Sequence, residues 1–326
     1  MNKEYICTVL LISFNHKSYI ELAIESALQQ KTSYNYKIHI FDDCSTDGTV
    51  DIIKRYAEKY PDKIIPFIAD KNAGAQQNIW NAYKSVDTKY CAQLECDDCW
   101  CDEEKLQLQI DIMEKNPDCS FCAHNTLAIN IDDPFRHREN NGIFVFNRNV
   151  RKTGKYAPDD FKMLYGAGWA HHNNSRLIRM SCVELDALEN KEDFLYDNCQ
   201  FFYLFCKGNL FFIQRVMSVY HMNASSSFTS LTAQKKIISH FDKLMCVNKN
   251  TNGEFERLIF RHLGSFSRYW FGLDDLRQGI IKDVSDLRHL ISRYLKSLLL
   301  DSWLHVKLRR HGKKGLKMLK NNIDGR

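Results

Sequence analysis

Over residues 1–125, short apolar β-rich runs alternate with amphipathic helical stretches, and this alternation most narrows what the chain can fold into. ICTVLLISF (6–14) is apolar at nearly every position, the pattern of a strand covered on both faces. SYIELAIESALQQ then sets Ile20, Ala23, Ile24, Ala27 and Leu28 on one helical face. KIHIF, IIPFIA, KYCAQL and CSFCAHNTLAI repeat the strand pattern. Helical segments separate them: one after CSTDGT carrying Val50, Ile52, Ile53 and Tyr56, then NAGAQQNIWNAY, then EEKLQLQIDIMEK. Alternation with short connections specifies an α/β fold, a mostly parallel sheet flanked by helices. Ligands of such sheets bind at the carboxyl ends of the strands. Here those ends carry Ser13 and Asn15, Asp42 and Asp43, and then Glu95, Asp97 and Asp98.

Residues 130–170 are less regular, and 199–222 turn aromatic again (QFFYLF, NLFFIQRVMSVYHM). Beyond about 231 the pattern is helical and amphipathic to the end. The expected organisation is a catalytic domain over 1–230, split into halves of about 1–125 and 126–230, followed by a helical, basic region over 231–326. The net charge of +5 is uneven: residues 282–326 hold 12 Lys+Arg against 4 Asp+Glu, and the rest 33 against 36. No stretch reaches the ~18 apolar residues of a membrane span. The N-terminal MNKEYICTVLLISFN is read as a first strand, since its apolar run is short and lacks a small-residue cleavage site. Without a secretory signal, the 12 cysteines are expected as reduced, mostly buried thiols in the cytoplasm.

The stretch LECDDCWC (94–101) offers two kinds of metal ligand. Cys96-x2-Cys99 and Cys119-x2-Cys122 have a spacing compatible with a four-cysteine zinc site. Against this, the second pair lies in a β-like run, and the helix between the pairs holds them apart. The carboxylates Glu95, Asp97 and Asp98 instead suit a hard cation, Mg²⁺ or Mn²⁺, that neutralises charge on a departing diphosphate.

The motifs together resemble the inverting GT-A glycosyltransferases of family 2 over roughly residues 5–225. VLLISFNHKSYIELAIESALQQ is similar to the family's first strand and helix, and IHIFDDCSTDGT to its second-strand motif. NAGAQQN resembles its Asn-x-Gly-x-x-x-Asn loop, and LECDDCWCDEEKLQLQ its metal-binding DxD segment. The resemblance implies a GT-A, Rossmann-like fold and a nucleotide-sugar donor, UDP-linked. It implies that Ser13 and Asn15 lie beside the nucleotide and that Asp43, with Asp42 nearby, accepts a hydrogen bond from the uracil. Asn72, Gly74 and Asn78 would wall the nucleotide pocket. Glu95 stands at the first DxD position, where the family has aspartate. Asp97 would be the main metal ligand and Asp98 would support the ribose or a metal-bound water. Asp197, just before an apolar helix in YDNCQFFYLFCKGN, would be the base that deprotonates the acceptor, with Glu192 and Asp193 as nearby rivals. An N-cap role for Asp197 is compatible with that one. His172, in HHNNSRLIR, would contact sugar or acceptor. In MSVYHMNASSS the family's histidine position falls on Asn223, with His221 two residues earlier, which leaves open whether Glu95 or any histidine reaches the metal. The loop around Arg136, His137 and Arg138 reads as a solvated basic loop or a lid.

In the tail, Leu295, Leu298, Leu299, Trp303 and Val306 form one stripe beside basic residues. Such a helix over 292–320 can lie on an anionic leaflet or pack on the catalytic domain. Contact with the inner face of the cytoplasmic membrane would suit a lipid-linked or oligosaccharide acceptor of surface-polysaccharide synthesis. Nucleic acid is not an expected partner. Two other readings are a zinc-stabilised nucleic-acid-binding protein and a sugar nucleotidyltransferase. The latter would carry a glycine-rich phosphate loop after the first strand, and SFNHKS has no glycine.

Overall fold

A computed structural model describes residues 4–130, 143–145, 150, 152–160, 171–187, 195 and 197–222. The four leading strands are β1 (Cys7–Ser13), β2 (Tyr36–Asp42), β3 (Ile64–Ile68) and β4 (Tyr90–Glu95). Helices α1 (Ile20–Leu28), α2 (Thr49–Lys59) and α3 (Ala75–Lys84) connect them. The short β5 (Cys99–Trp100), helix α4 (Lys105–Lys115) and the long β6 (Cys119–Asn130) follow. Then come β7 (Ile143–Val145), β8 (Gly154–Tyr156), β9 (Leu177–Arg179), helix α5 (Asp197–Lys207) and β10 (Asn209–Met222).

The ten strands of the described residues join one sheet, ordered β3-β2-β1-β4-β9-β6-β10-β5, with β7 on β6 and β8 on β10. The β1–β4 set is parallel, as the alternating pattern requires. β3 lies at the edge, where Pro66 forfeits no ladder bond in the sheet interior. Between β4 and β6 the sheet admits the short β9, antiparallel to both. β10 runs parallel to β6, and its pairing slips between Ile213 and Val216 and again between Val216 and Ser218.

Alternation along β1 divides the core. Leu10 and Ile12 enter a cluster with Trp80 and Tyr83 of α3 and Phe201, Phe202 and Phe205 of α5. Val9 and Leu11 enter another with Ile20 and Ile24 of α1, Ile53 of α2 and Leu106, Ile110 and Met113 of α4. Each fully buried aliphatic side chain contributes about 1.5–3 kcal/mol, so β1 is fixed from both faces. Its end is thereby a rigid platform. Among the described residues no helix is long and apolar enough to cross a membrane. Arg136, His137, Arg138, Glu192, Asp193, Asn223 and everything from 223 onward, including 231–326 and the stripe over 292–320, lie outside the described residues.

Candidate active site

Register aligns the strand ends. Ser13 pairs with Asp42, and Ile12 pairs with Glu95, so the polar residues that close β1, β2 and β4 share one rim. Immediately past it the chain bends sharply, with Asn15 at φ 56° and Cys44 at φ 63°. Asn tolerates this left-handed conformation better than most residues because its side chain bonds locally. Here Asn15 Oδ1 accepts from the Thr46 N–H at 2.9 Å. Asp42, fully buried, accepts from both the N–H and the hydroxyl of Ser45 at 2.8 and 2.5 Å. The two loops after β1 and β2 are thus tied to each other.

Asp43 shapes the third loop. Its Oδ1 accepts from the Ala73 N–H and its Oδ2 from the Gly74 N–H, both at 2.8 Å. Asn72 donates to the Asp43 carbonyl at 3.2 Å and accepts from the Gly74 N–H at 3.1 Å. Gly74 has φ 88°, a conformation available to glycine without strain, and it leads directly into α3. Asn78, one turn into α3, donates to the Phe41 carbonyl at 3.1 Å and so fixes the helix against β2. Carboxylate oxygens have about four lone-pair sites, so two backbone contacts leave Asp43 capacity for a further donor.

The acidic segment forms the other wall. Glu95, Asp98 and His172 offer ligand atoms that all lie within 4.8 Å of one another. Asp98 is buried: its Oδ1 accepts from the His221 N–H at 2.9 Å and its Oδ2 from Asn174 Nδ2 at 2.9 Å. Burial, and then the negative charges of Asp97 and Glu95, push the Asp98 carboxyl well above the usual carboxylate range. A bound cation would favour its ionised form. Asp97 is half-buried and stands outside this cluster of three; its backbone carbonyl accepts from His221 Nδ1 at 2.7 Å. Because a carbonyl only accepts, that contact puts a proton on Nδ1. His172 stacks on Tyr220 with ring centroids 4.2 Å apart. Two carboxylates and an imidazole form a donor set suited to Mn²⁺, and the carboxylates alone to Mg²⁺.

Sequence reasoning passed over Asn174, the pivot of this wall. Besides holding Asp98, its Oδ1 accepts from Ser218 Oγ at 2.8 Å and Thr126 Oγ1 at 3.2 Å, and its carbonyl from Trp100 Nε1 at 2.9 Å. It follows His172 by two residues in a short 3-10 turn, Asn173–Ser175, and is fully buried. The adjacent pair Asn173-Asn174 was the available signal, but nothing in one sequence says which partners such a residue meets. Asp197 is the first residue of α5.

The four cysteines of the zinc-like spacing are all buried, and among the described residues they form no cluster of metal-ligating groups. Burial pushes Cys99 and Cys122 up to about 12 and Cys119 up to about 11, and Cys96 well above the ordinary range. Zinc binds thiolates, so these thiols behave as small apolar residues.

The family model described as Glycosyl transferase family 2 matches residues 8–174. TuaG of Bacillus subtilis, a glycosyltransferase named for teichuronic acid biosynthesis, is 34% identical over 128 residues, 39% of this chain and 50% of that protein. Matches to the curated relatives span about a quarter to a half of their length, 35% for a Mycobacterium tuberculosis protein of 32% identity. Among solved structures, S. aureus TarS 1-349 in complex with UDP-GlcNAc superposes with a TM-score of 0.62 at 11% identity, covering 90% of this chain and 79% of that one. The mannosyltransferase PcManGT from Pyrobaculum calidifontis, in complex with GDP-Man and Mn²⁺, gives 0.54 at 13% identity, covering 100% and 89%. These likenesses show the GT-A fold.

Proposed function

The chain belongs to glycosyl transferase family 2, and from that premise we propose that it transfers a sugar from a nucleotide-sugar donor, UDP-linked, to an acceptor hydroxyl with inversion. The observation that carries the reading is the meeting of Glu95, Asp98 and His172 at the rim shared by β1, β2 and β4. The loops organised by Asp42 and Asp43 share that rim, which suits the division of labour a diphosphate-linked sugar requires: one part for the base and ribose, one for the charge.

In this reading Asp43 and Asn72 hold the rim of the base pocket, with Ser13, Asn15, Gly74 and Asn78 giving it shape. Asp97 and the Glu95, Asp98 and His172 group hold Mn²⁺ or Mg²⁺. When bound, the cation supplies charge stabilisation for the departing nucleoside diphosphate. Asp197, at the start of α5, takes the proton of the acceptor hydroxyl as it attacks. The acceptor is a saccharide or lipid-linked saccharide of surface-polysaccharide synthesis; the resemblance to a protein named for teichuronic acid biosynthesis supports that setting. Peripheral contact of 292–320 with the cytoplasmic membrane would bring the enzyme to such an acceptor.

The purified full chain, screened against UDP-, GDP- and dTDP-sugars, should release nucleoside diphosphate from a UDP-sugar only with Mn²⁺ or Mg²⁺. Asp97→Ala should lower that rate by at least about 100-fold, the scale of removing one transition-state charge stabiliser. Metal-independent release, or full activity in Asp97→Ala, would overturn the assignment.

A further inference from the structure

A chain of buried hydrogen bonds links Glu95 of the acidic wall to helix α5 and to the 3-10 turn that carries Asn174. Arg176 Nη1 donates to Gln200 Oε1 at 2.6 Å, and Gln200 Nε2 donates to the Tyr83 hydroxyl at 2.8 Å. The Tyr83 hydroxyl donates to Gln93 Oε1 at 2.8 Å, and Gln93 Nε2 donates to Glu95 Oε1 at 2.6 Å. Arg176, Gln200, Tyr83 and Gln93 are each at most 4% exposed. They come from four separate places: the end of the 3-10 turn that holds Asn174, helix α5, helix α3 and strand β4.

The polarity of this chain is fixed at both ends. A guanidinium only donates and a carboxylate only accepts, so each glutamine amide between them has one permitted orientation. Burial pushes the Tyr83 phenol well above its ordinary range, so it keeps the proton it donates. Bonds aligned head to tail in a dry interior polarise one another, so loss of the middle link weakens the others.

We infer that Gln200, Tyr83 and Gln93 form a positioning relay that couples the orientation of Glu95 to the setting of α5. At the Glu95 end, the relay holds the arm that is one methylene longer than the family's aspartate. At the other end, Gln200 stands three residues after Asp197 in α5, so its tether sets the rotation of the helix that carries the proposed base. The inference rests on the functional reading above for what the two ends do, but its physical content, coupling between them, does not.

Two variants of the full chain test it, with two readouts. Tyr83→Phe removes only the hydroxyl and Gln200→Met only the amide, both keeping most of the packing volume. Amide hydrogen exchange by mass spectrometry should speed up in peptides covering 93–99 and 197–204 together in either variant, while α2 (Thr49–Lys59) keeps its protection. Calorimetric titration of UDP with Mn²⁺ should show affinity about five-fold weaker in Tyr83→Phe, the effect of one lost hydrogen bond. If Gln200→Met changes exchange only around α5, or if protection falls uniformly, the side chains merely pack and the relay is wrong. If the wild type binds no UDP, the functional reading fails, and the exchange result alone still decides the relay.

Discussion

Lys105 presents a direct test of how this interior treats charge. The residue begins α4 and is fully buried. Its Nζ donates to Gln109 Oε1 at 2.7 Å and sits 4.0 Å from the centre of the Trp100 ring. Burial pulls its pKa from 10.5 down to about 7; Cys7, Cys122, Asp102 and Cys91 counteract that only in part. The folded state therefore favours the neutral amine, whereas the unfolded chain holds a proton up to about pH 10.5. Unfolding takes up a proton between those values, so stability must rise with pH as the amine is relieved of its charge. One site titrating at about 7 folded and about 10.5 unfolded adds about 2 kcal/mol between pH 6 and 8.5. Replacing Lys105 by Met removes this dependence and leaves every other titrating group in place. Urea unfolding of both proteins under reducing conditions, followed by circular dichroism, reads the difference. Relative to the variant, the wild type should gain about 2 kcal/mol from pH 6 to 8.5, which at ordinary urea sensitivities is a midpoint change of about 1 M. The loss of the Gln109 bond enters as a constant offset. Parallel curves for the two proteins would refute the reasoning, because they would mean that the amine is charged throughout.

Asn174→Ala should destabilise the fold by about 2–3 kcal/mol, because it strips one of two donors from the buried Asp98 carboxylate and removes the acceptor shared by the Ser218 and Thr126 hydroxyls, which keep only each other; a thermal melt checks this, and an unchanged midpoint would argue against it. Gly208→Ala should cost about 1–3 kcal/mol, since a Cβ there meets the Asp118 carbonyl oxygen at 2.9 Å and the Ser120 nitrogen at 3.0 Å, and backbone atoms cannot swing aside. Urea unfolding at neutral pH measures it.

The parallel half of the sheet was legible because its strands are apolar on both faces and end abruptly in Asp, Asn or Glu. Burial and chemistry there coincide in one dimension. β9 was legible only through the resemblance of HHNNSRLIR to a family loop and strand: Leu177–Arg179 is too short to show a period, and its place between β4 and β6 follows from tertiary packing. The rim residues were nameable from motif order, yet the sequence could not say that Asp43 would spend both oxygens on backbone N–H groups. Nor could it say that Asp98 rather than Asp97 would stand with Glu95 and His172. The relay had one visible sign, the polar Gln93 among the apolar residues that precede Glu95 in YCAQLE. A polar group in a doubly covered strand must find a partner, but the partner's identity is a three-dimensional fact.

The slips in β10 give its length an arithmetic meaning. A strand presents alternate residues to opposite faces, so position along it is a matter of odd and even. Through its slips β10 spends three residues, Ile213 to Val216, opposite a single step of β6, and two more opposite the next. These surplus residues decide the parity with which the strand arrives at Asp97 and Asp98, and hence that His221 rather than Tyr220 addresses Asp97. Removing one residue from the slipped stretch, with the pairs before it held and the register after it moved by one, would turn His221 to the opposite face. A single-residue deletion between 213 and 218 should therefore be harmless where the bulge absorbs it and the His221–Ile129 pair holds, and damaging where it moves that pair.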